Sequence, residues 1–323
     1  MSVDGESINW YLSDLDVGKK DVLAAIVKTV MLVLNHLEFP EFMSYYSNRL
    51  YRDDWKIGLL VLRKHQGKSY ADFAAELPSH SGVLDAGGVS RIPHKDTLRK
   101  FAARLPEGFL DRMIGETARL LCGLDVVAAV DSTGFSENSA SKHFIKRLKQ
   151  FGTVNQTVRD FAKATFVTDT KTLAVISCDV SDVHSADVKR FAQALTAARR
   201  TGVTIAKIVC DKGYDSEKAH EDARRILGDD VETVIPVRKL EPLSARSASK
   251  CNPGGRWRRE NYRNFDKTAY ALRPLVETVN SMIKRKMGDT LYGKSMSRMA
   301  DEIKCMCIAH NVRQMMRFNL VII

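Results

Sequence analysis

Val126-Val127-Ala128-Ala129-Val130-Asp131-Ser132-Thr133 is an apolar run that stops on an acid, and the pattern of the chain changes there. Downstream, short apolar runs alternate with turn residues. Ala164–Thr168 and Leu173–Cys178 flank Asp169-Thr170-Lys171-Thr172, the spacing of a hairpin. Ser185–Arg200 has helical periodicity, Val203–Cys210 is another apolar run ending at Asp211, and Ser216–Leu227 is a second helix. Val231–Val237 makes a fifth strand. A basic, irregular stretch continues to about Asp266, and two helices close the chain near Lys267–Lys286 and Ser295–Arg317.

Three strands in meander, then helix–strand–helix–strand–helix, is the order of a ribonuclease-H-like fold. It predicts an α/β domain with a mixed five-stranded sheet flanked by helices. Ferredoxin-like and doubly wound domains share parts of that order. Upstream of the switch the chain reads as helices: Val22–Leu37, Trp55–Lys64, Lys68–Leu77 and Thr97–Arg104. With 323 residues there is room for about two domains. The expected division is an all-α part over residues 1–120 and a ribonuclease-H-like part over 121–323, with a basic connection at 238–266 and C-terminal helices.

Composition narrows the function. The chain is 44% hydrophobic and 28% charged, which excludes a disordered tail protein or a small disulfide scaffold. Its net charge of +11 favours a polyanionic partner. Nearly all of it sits in one block: Arg238 to Lys286 holds thirteen Lys/Arg against four Asp/Glu, whereas residues 1–120 hold sixteen of each sign. Such a block is either a solvated face or a contact surface. No run approaches the ~20 apolar residues of a membrane span, and the acidic Met1–Asp16 lacks the order of a signal peptide. The six cysteines are scattered, which points to a reducing, cytoplasmic setting. Cys305 and Cys307 diverge by about 200° on a helix, so with His310 they make a poor zinc set. Neither a phosphate-binding glycine loop nor a dinucleotide fingerprint occurs, which argues against a nucleotide-driven enzyme.

Three strands are expected to end in aspartate: Asp131, Asp179 and Asp211. Strand four lies beside strand one in the ribonuclease-H order, so Asp131 and Asp211 should stand about 5 Å apart at one edge. Two carboxylates that close repel unless a cation lies between them, so a divalent metal is their natural partner. Asp179, a strand further away, is the bland one. The late helix supplies a third acid. With Tyr270 at 0° and about 100° per residue, Arg273, Glu277 and Lys284 fall near −60°, −20° and −40°, while the apolar residues fall between about 120° and 240°. One side packs; the other shows Tyr, Arg, Glu and Lys in a stripe. Upstream, Lys95 and Arg99 lie on a basic helix that is either the reader of a helix-turn-helix or part of a plain packing domain.

Tyr270-x2-Arg273-x3-Glu277-x6-Lys284 resembles the C-terminal signature of insertion-sequence DDE transposases at all four positions. Val130-Asp131-Ser132-Thr133 resembles the family's first catalytic aspartate, and Asp211-Lys212-Gly213-Tyr214 its second motif, Asp-x-Gly-Tyr/Phe. His310-Asn311 is similar to its C-terminal helix. The resemblance covers roughly residues 125–315 and implies a DNA transposase that cleaves element ends and joins them to target DNA. It implies Asp131, Asp211 and Glu277 as catalytic residues holding two Mg²⁺ (or Mn²⁺) ions. Arg273 and Lys284 would grip phosphates, with Tyr270 beside them. The implied partners are double-stranded DNA, as terminal inverted repeats and target, and a second copy of the chain on the DNA ends. Lys142, Lys146, Arg147, Lys149, Arg159 and Lys163 are candidates to track the backbone, and Lys95 and Arg99 to recognise the ends. The 66 residues from Asp211 to Glu277 predict a compact basic connection with room for a short hairpin. A ribonuclease-H-type nuclease without strand transfer, or a DNA-binding descendant that has lost catalysis, are the competing readings.

Overall fold

Val126–Glu137 forms β1, the strand on which the sheet of this computed structural model is built; the structure describes residues 21–137, 161–182, 187–238, 253–318 and 320. On one side β1 pairs antiparallel with β2 (Phe161–Asp169), which pairs antiparallel with β3 (Val175–Asp182). On the other it pairs parallel with β4 (Ile205–Cys210), and β4 with β5 (Glu232–Val234). The order β3-β2-β1-β4-β5 is that of a ribonuclease-H-like sheet.

A sixth strand adds to the expected five, and its cause is the length of β1. Pairing with β4 ends at Val130↔Cys210, but β1 runs on to Glu137. The overhang leaves an open edge, and β6 (Thr290–Leu291) pairs there with Ser136 and Glu137. The same extension corrects the reading of strand ends. Asp131 lies inside β1, and Asp179 lies inside β3; only Asp211 follows the last residue of its strand. The apolar run stops at Val130 because burial on both faces stops there. Beyond it Phe135 is buried while Ser132, Thr133 and Gly134 are partly exposed.

One sheet face carries α7 (Asp187–Arg200) and α8 (Glu217–Leu227). Phe191, Leu195 and Ala198 of α7 cluster there with Ala128, Val130, Val167 and Ile208. The alternate residues Ala129, Ala162, Ala164 and Phe166 join a second cluster with the upstream helices. Those are α1 (Val22–His36), α2 (Asp53–His65), α3 (Tyr70–Glu76), α4 (Ser81–Gly87), α5 (Lys95–Ala102) and α6 (Phe109–Leu121). The same cluster takes in the C-terminal helix, Met296–Arg317, so the apolar core runs continuously across residue 120.

Helix α4 lies between two of the expected helices, in a stretch to which none was assigned. Gly87 packs so closely on Trp55 that a Cβ would sit 2.5 Å from its indole, and Gly88 ends the helix at φ 61°. The basic connection likewise contains a helix, α9 (Arg256–Arg263), where irregular chain or a hairpin was expected. The expected helix over 267–286 is two: α10 (Lys267–Tyr270) and α11 (Pro274–Met287). Pro274 has no N–H to continue the first, but its fixed φ suits the start of the second. Met296–Arg317 is α12.

In α12, Asn311 acts on β3 as a neighbouring strand would. Its Oδ1 accepts from Val175 N–H at 2.8 Å, and its Nδ2 donates to Val175 O at 2.8 Å and Thr117 Oγ1 at 3.0 Å. The adjacent His310 is buried, with Nε2 2.8 Å from the Leu173 carbonyl. Burial pulls the imidazoles of His220 and His310 down to about 4 and of His65 to about 3. Because the unfolded value is higher, their neutral forms favour folding fully above about pH 6.5, and that contribution fades as pH falls toward 4. Urea unfolding at pH 7.5 and 5.5 should show a loss at the lower pH of up to about 1.4 kcal/mol per buried histidine. Equal stability at the two values would contradict these neutral sites.

Candidate active site

The register of β1 on β4 makes the site. With Val130 opposite Cys210 in parallel strands, the next residues, Asp131 and Asp211, emerge side by side. Cys210 reports both charges: its thiol is pushed well up by burial, then by Asp131 and by Asp211. A cross-tie holds the two backbones together. Asp211 is extended (φ −70°, ψ 159°) and opens a 3₁₀ turn, Lys212–Tyr214. The Tyr214 hydroxyl returns to Ser132 Oγ at 3.3 Å, and Ser132 Oγ lies 2.9 Å from Thr165 Oγ1 on β2.

Helix α11 lies across β1 and contributes the third side. Asn280, buried, donates from Nδ2 to Asp131 Oδ2 at 3.1 Å, while its Oδ1 has no hydrogen-bond partner among the described residues. One turn toward the N-terminus, Glu277 is exposed and paired with Arg273, Nη1 to Oε1 at 2.7 Å. One turn toward the C-terminus, the Lys284 ammonium sits 5.2 Å from the Phe135 ring centroid. Burial pulls Lys284 below the ordinary lysine range, against the opposing pull of Asp289 and Asp131. Tyr270, on α10, has its hydroxyl pushed up by burial and then by Asp211, with Arg273 and Glu277 also in reach. Lys207 of β4 fixes α10 from below: its Nζ is 2.6 Å from Asp266 Oδ2, and Asp266 caps α10 through Ala269 N–H.

The six residues Asp131, Asp211, Tyr270, Arg273, Glu277 and Lys284 thus share one edge of the sheet. Glu277 stops short of the two aspartates. Among the described residues no three His, Cys, Asp or Glu side chains close up enough to hold a metal ion. Asp179 is elsewhere engaged, held by Arg190 through two contacts of 2.7 Å. Lys95 and Arg99 are exposed on α5, away from this edge, and Arg99 Nε binds Asp96 at 3.1 Å. A 3₁₀ turn and α4 separate α3 from α5, so the compact turn of a helix-turn-helix is absent between them. Lys142, Lys146, Arg147, Lys149 and Arg159 lie outside the described residues, and Lys163 is on β2.

Asn280 was not singled out from sequence, although a signal existed. On the helical projection of Tyr270–Lys284 it falls near −80°, at the border between the polar stripe and the apolar residues.

Residues 123–312, more than half of the chain, match the Transposase DDE domain family. The chain belongs to that family. Among solved structures, this transposase-family chain is similar to the Mos1 transposase paired-end complex with left transposon end. That likeness is 12% identity over 82% of this chain and 98% of that chain, with a TM-score of 0.23, too low to argue a shared fold from it. No curated protein matches the chain in sequence. No helix among the described residues is long and apolar enough to cross a membrane.

DDE transposases use divalent metal ions, and the donors here suit a hard cation. Asp131 and Asp211 offer carboxylate oxygens, the preferred ligands of Mg²⁺ and Mn²⁺. Cys210, the soft donor next to Asp211, is buried and held in its thiol form. Asn280 meets Asp131 at Oδ2 and so orients the carboxylate from the α11 side.

Proposed function

We propose that this transposase cuts DNA at element ends and joins the freed ends to target DNA, with Asp131, Asp211 and Glu277 as its catalytic carboxylates. The observation that carries the proposal is the parallel register that sets Asp131 beside Asp211, with the helix of Glu277 fastened to Asp131 through Asn280. Divalent ions bound there would supply Lewis acidity at the scissile phosphate.

The chain's own residues supply position and charge. Arg273, partly buried, holds the exposed Glu277 in an i,i+4 pair, a kind worth a few tenths of a kcal/mol on a helix surface. A DNA phosphate competes easily for that guanidinium, since bidentate charge-assisted contacts are stronger. Arg273 then grips DNA, and Glu277 is free to turn toward the aspartates. Lys284, already partly desolvated, meets the phosphate on the far side of Asp131, with Tyr270 flanking Asp211. In the first step a water oxygen bonds to phosphorus and the P–O3′ bond breaks, leaving a 3′-OH and a 5′-phosphate. In the second that 3′ oxygen attacks a target phosphate, displaces the target's own 3′ oxygen and yields its proton to it. No covalent protein–DNA bond and no nucleotide is needed. The DNA ends and a second copy of the chain are the partners this chemistry calls for, with Lys95 and Arg99 proposed as contacts to the ends.

A nuclease needs one attack; a transposase must hold the cut end while a second DNA arrives. Arg273→Ala and Lys284→Ala should therefore slow joining of a precleaved end at least as much as the first nick. Each lost phosphate contact is worth roughly 1.5–3 kcal/mol, about ten- to a hundredfold. Strand-transfer gels of each variant beside wild type read the effect. Normal joining by both variants would remove these residues from the DNA grip.

A further inference from the structure

Helix α9 has the wrong charges to stand alone. Arg256, Trp257, Arg258, Arg259, Glu260, Asn261, Tyr262 and Arg263 put four arginines and one acid in two turns. At about 100° per residue from Arg256, Arg263 falls near −20° and Arg259 near −60°, so three guanidiniums share one stripe. Like charges at these spacings destabilise a helix. All three are exposed, and among the described residues none is ion-paired.

The opposite face is bolted down. Glu217 accepts Trp257 N–H at 2.9 Å and Arg258 N–H at 3.0 Å, an acid capping the helix start. Arg258 forks onto Asp215, Nε at 2.7 Å and Nη2 at 2.6 Å, and the Asp215 side chain is fully buried. Asn261 exchanges two hydrogen bonds with the Ile235 backbone, 2.7 and 3.3 Å. Arg224 stacks 3.8 Å from the Trp257 ring centroid. Asp215 also accepts Arg238 N–H at 2.9 Å, while the Arg238 side chain closes on the carbonyls of Lys212 and Gly213 at 3.2 and 2.8 Å. The anchor of α9 is therefore the turn that begins at Asp211.

We infer that α9 is a clamp for the phosphate backbone of duplex DNA, gripping through Arg256, Arg259 and Arg263 while its inner face is locked to the Asp211 turn. Arg256 stacks 4.4 Å from the Trp257 ring centroid and Arg259 Nε donates to the Gly255 carbonyl at 2.7 Å, but neither contact neutralises charge, so a helix carrying this stripe is stabilised by a polyanion. The lock fixes where that polyanion lies relative to the acidic edge. The stripe is sequence-blind, since guanidiniums on phosphates carry no base information. Naming DNA as the polyanion rests on the transposase reading; the grip itself does not.

The test is fluorescence anisotropy of the full chain on a random-sequence duplex across a salt series. Neutralising the stripe in the triple variant Arg256→Gln, Arg259→Gln, Arg263→Gln should weaken binding at least tenfold near 0.1 M salt. It should also lower the slope of log K against log salt by about 2–3, since each phosphate contact contributes about 0.9. A control triple, Lys171→Gln, Arg199→Gln, Arg200→Gln, removes the same charge elsewhere and should leave the slope within about 0.5 of wild type. Thermal melts confirm that both variants fold. Equal slopes for the α9 triple and wild type, or equal losses in both triples, would overturn the clamp. The transposase reading fails separately: a triple that loses its slope while wild type neither nicks nor joins leaves the clamp standing on a protein of another activity.

Discussion

Asp131→Asn and Asp211→Asn should each lower metal-dependent nicking of an element-end duplex by about 10³-fold or more, whereas Asp179→Asn should cut at the wild-type rate. The size follows from charge. Removing one of two adjacent carboxylates removes the anchor for cationic stabilisation worth several kcal/mol, and each 1.4 kcal/mol is about tenfold in rate. The amide keeps the shape: at position 131 its oxygen can still accept from Asn280, and at 211 the backbone bond from Tyr214 N–H is untouched, so DNA binding should persist. The contrast with Asp179 gives the experiment its discrimination, because all three are aspartates within or directly after strands of one sheet. Asp179 is already neutralised by the Arg190 fork. A dead Asp179→Asn beside an active Asp211→Asn would mean that the reaction runs at a different edge.

Glu302→Ala should be the most destabilising single change on the far side of the core, about 3–5 kcal/mol, enough to threaten folding. Glu302 sits on α12 and neutralises two neighbouring cations of α2: Arg63 at 3.0 Å and Lys64 at 3.1 Å, both essentially without solvent contact. Its second oxygen also takes Tyr292 N–H at 2.8 Å, next to β6. Burial already pulls Lys64 below its ordinary range, and Glu302 opposes that pull. Without the carboxylate two cations face each other in an apolar core. Urea unfolding of Glu302→Ala and the shape-conserving Glu302→Gln measures the cost; a loss below about 1 kcal/mol in both would show that water reaches the pair.

The strand order and the acid pair were legible because they depend on short apolar runs and on where those runs stop. Val203–Cys210 and the hairpin around Asp169 are close to their observed limits. The topology then dictates that Asp131 and Asp211 are neighbours. What escaped depends on tertiary context. The far half of β1 is half-exposed and lacks an apolar signature, so its extension to Glu137 and the pairing of β6 left no trace in composition. Helix α4 carries Gly87 because Trp55 lies against it and Gly82 because Asp21 and Ala24 do. Helix α9 is intrinsically poor and folds on Glu217 and Asp215, acids forty-odd residues upstream. Pro274 announced the break between α10 and α11, but the four-residue signature spans it and drew the eye across. Asn280 looked like any polar residue until its bond to Asp131 was seen. Glu277 matches its motif in sequence, yet its carboxylate pairs with Arg273.

The most direct measurement is joining of a precleaved duplex end, bearing the inverted repeat that borders the gene, to a supercoiled target in Mg²⁺. Wild-type protein should give joined products that vanish with chelator and with Asp211→Asn. Efficient nicking without joining under Mg²⁺ or Mn²⁺, or joining that survives Asp211→Asn, would contradict the assignment of this edge as a strand-transfer site.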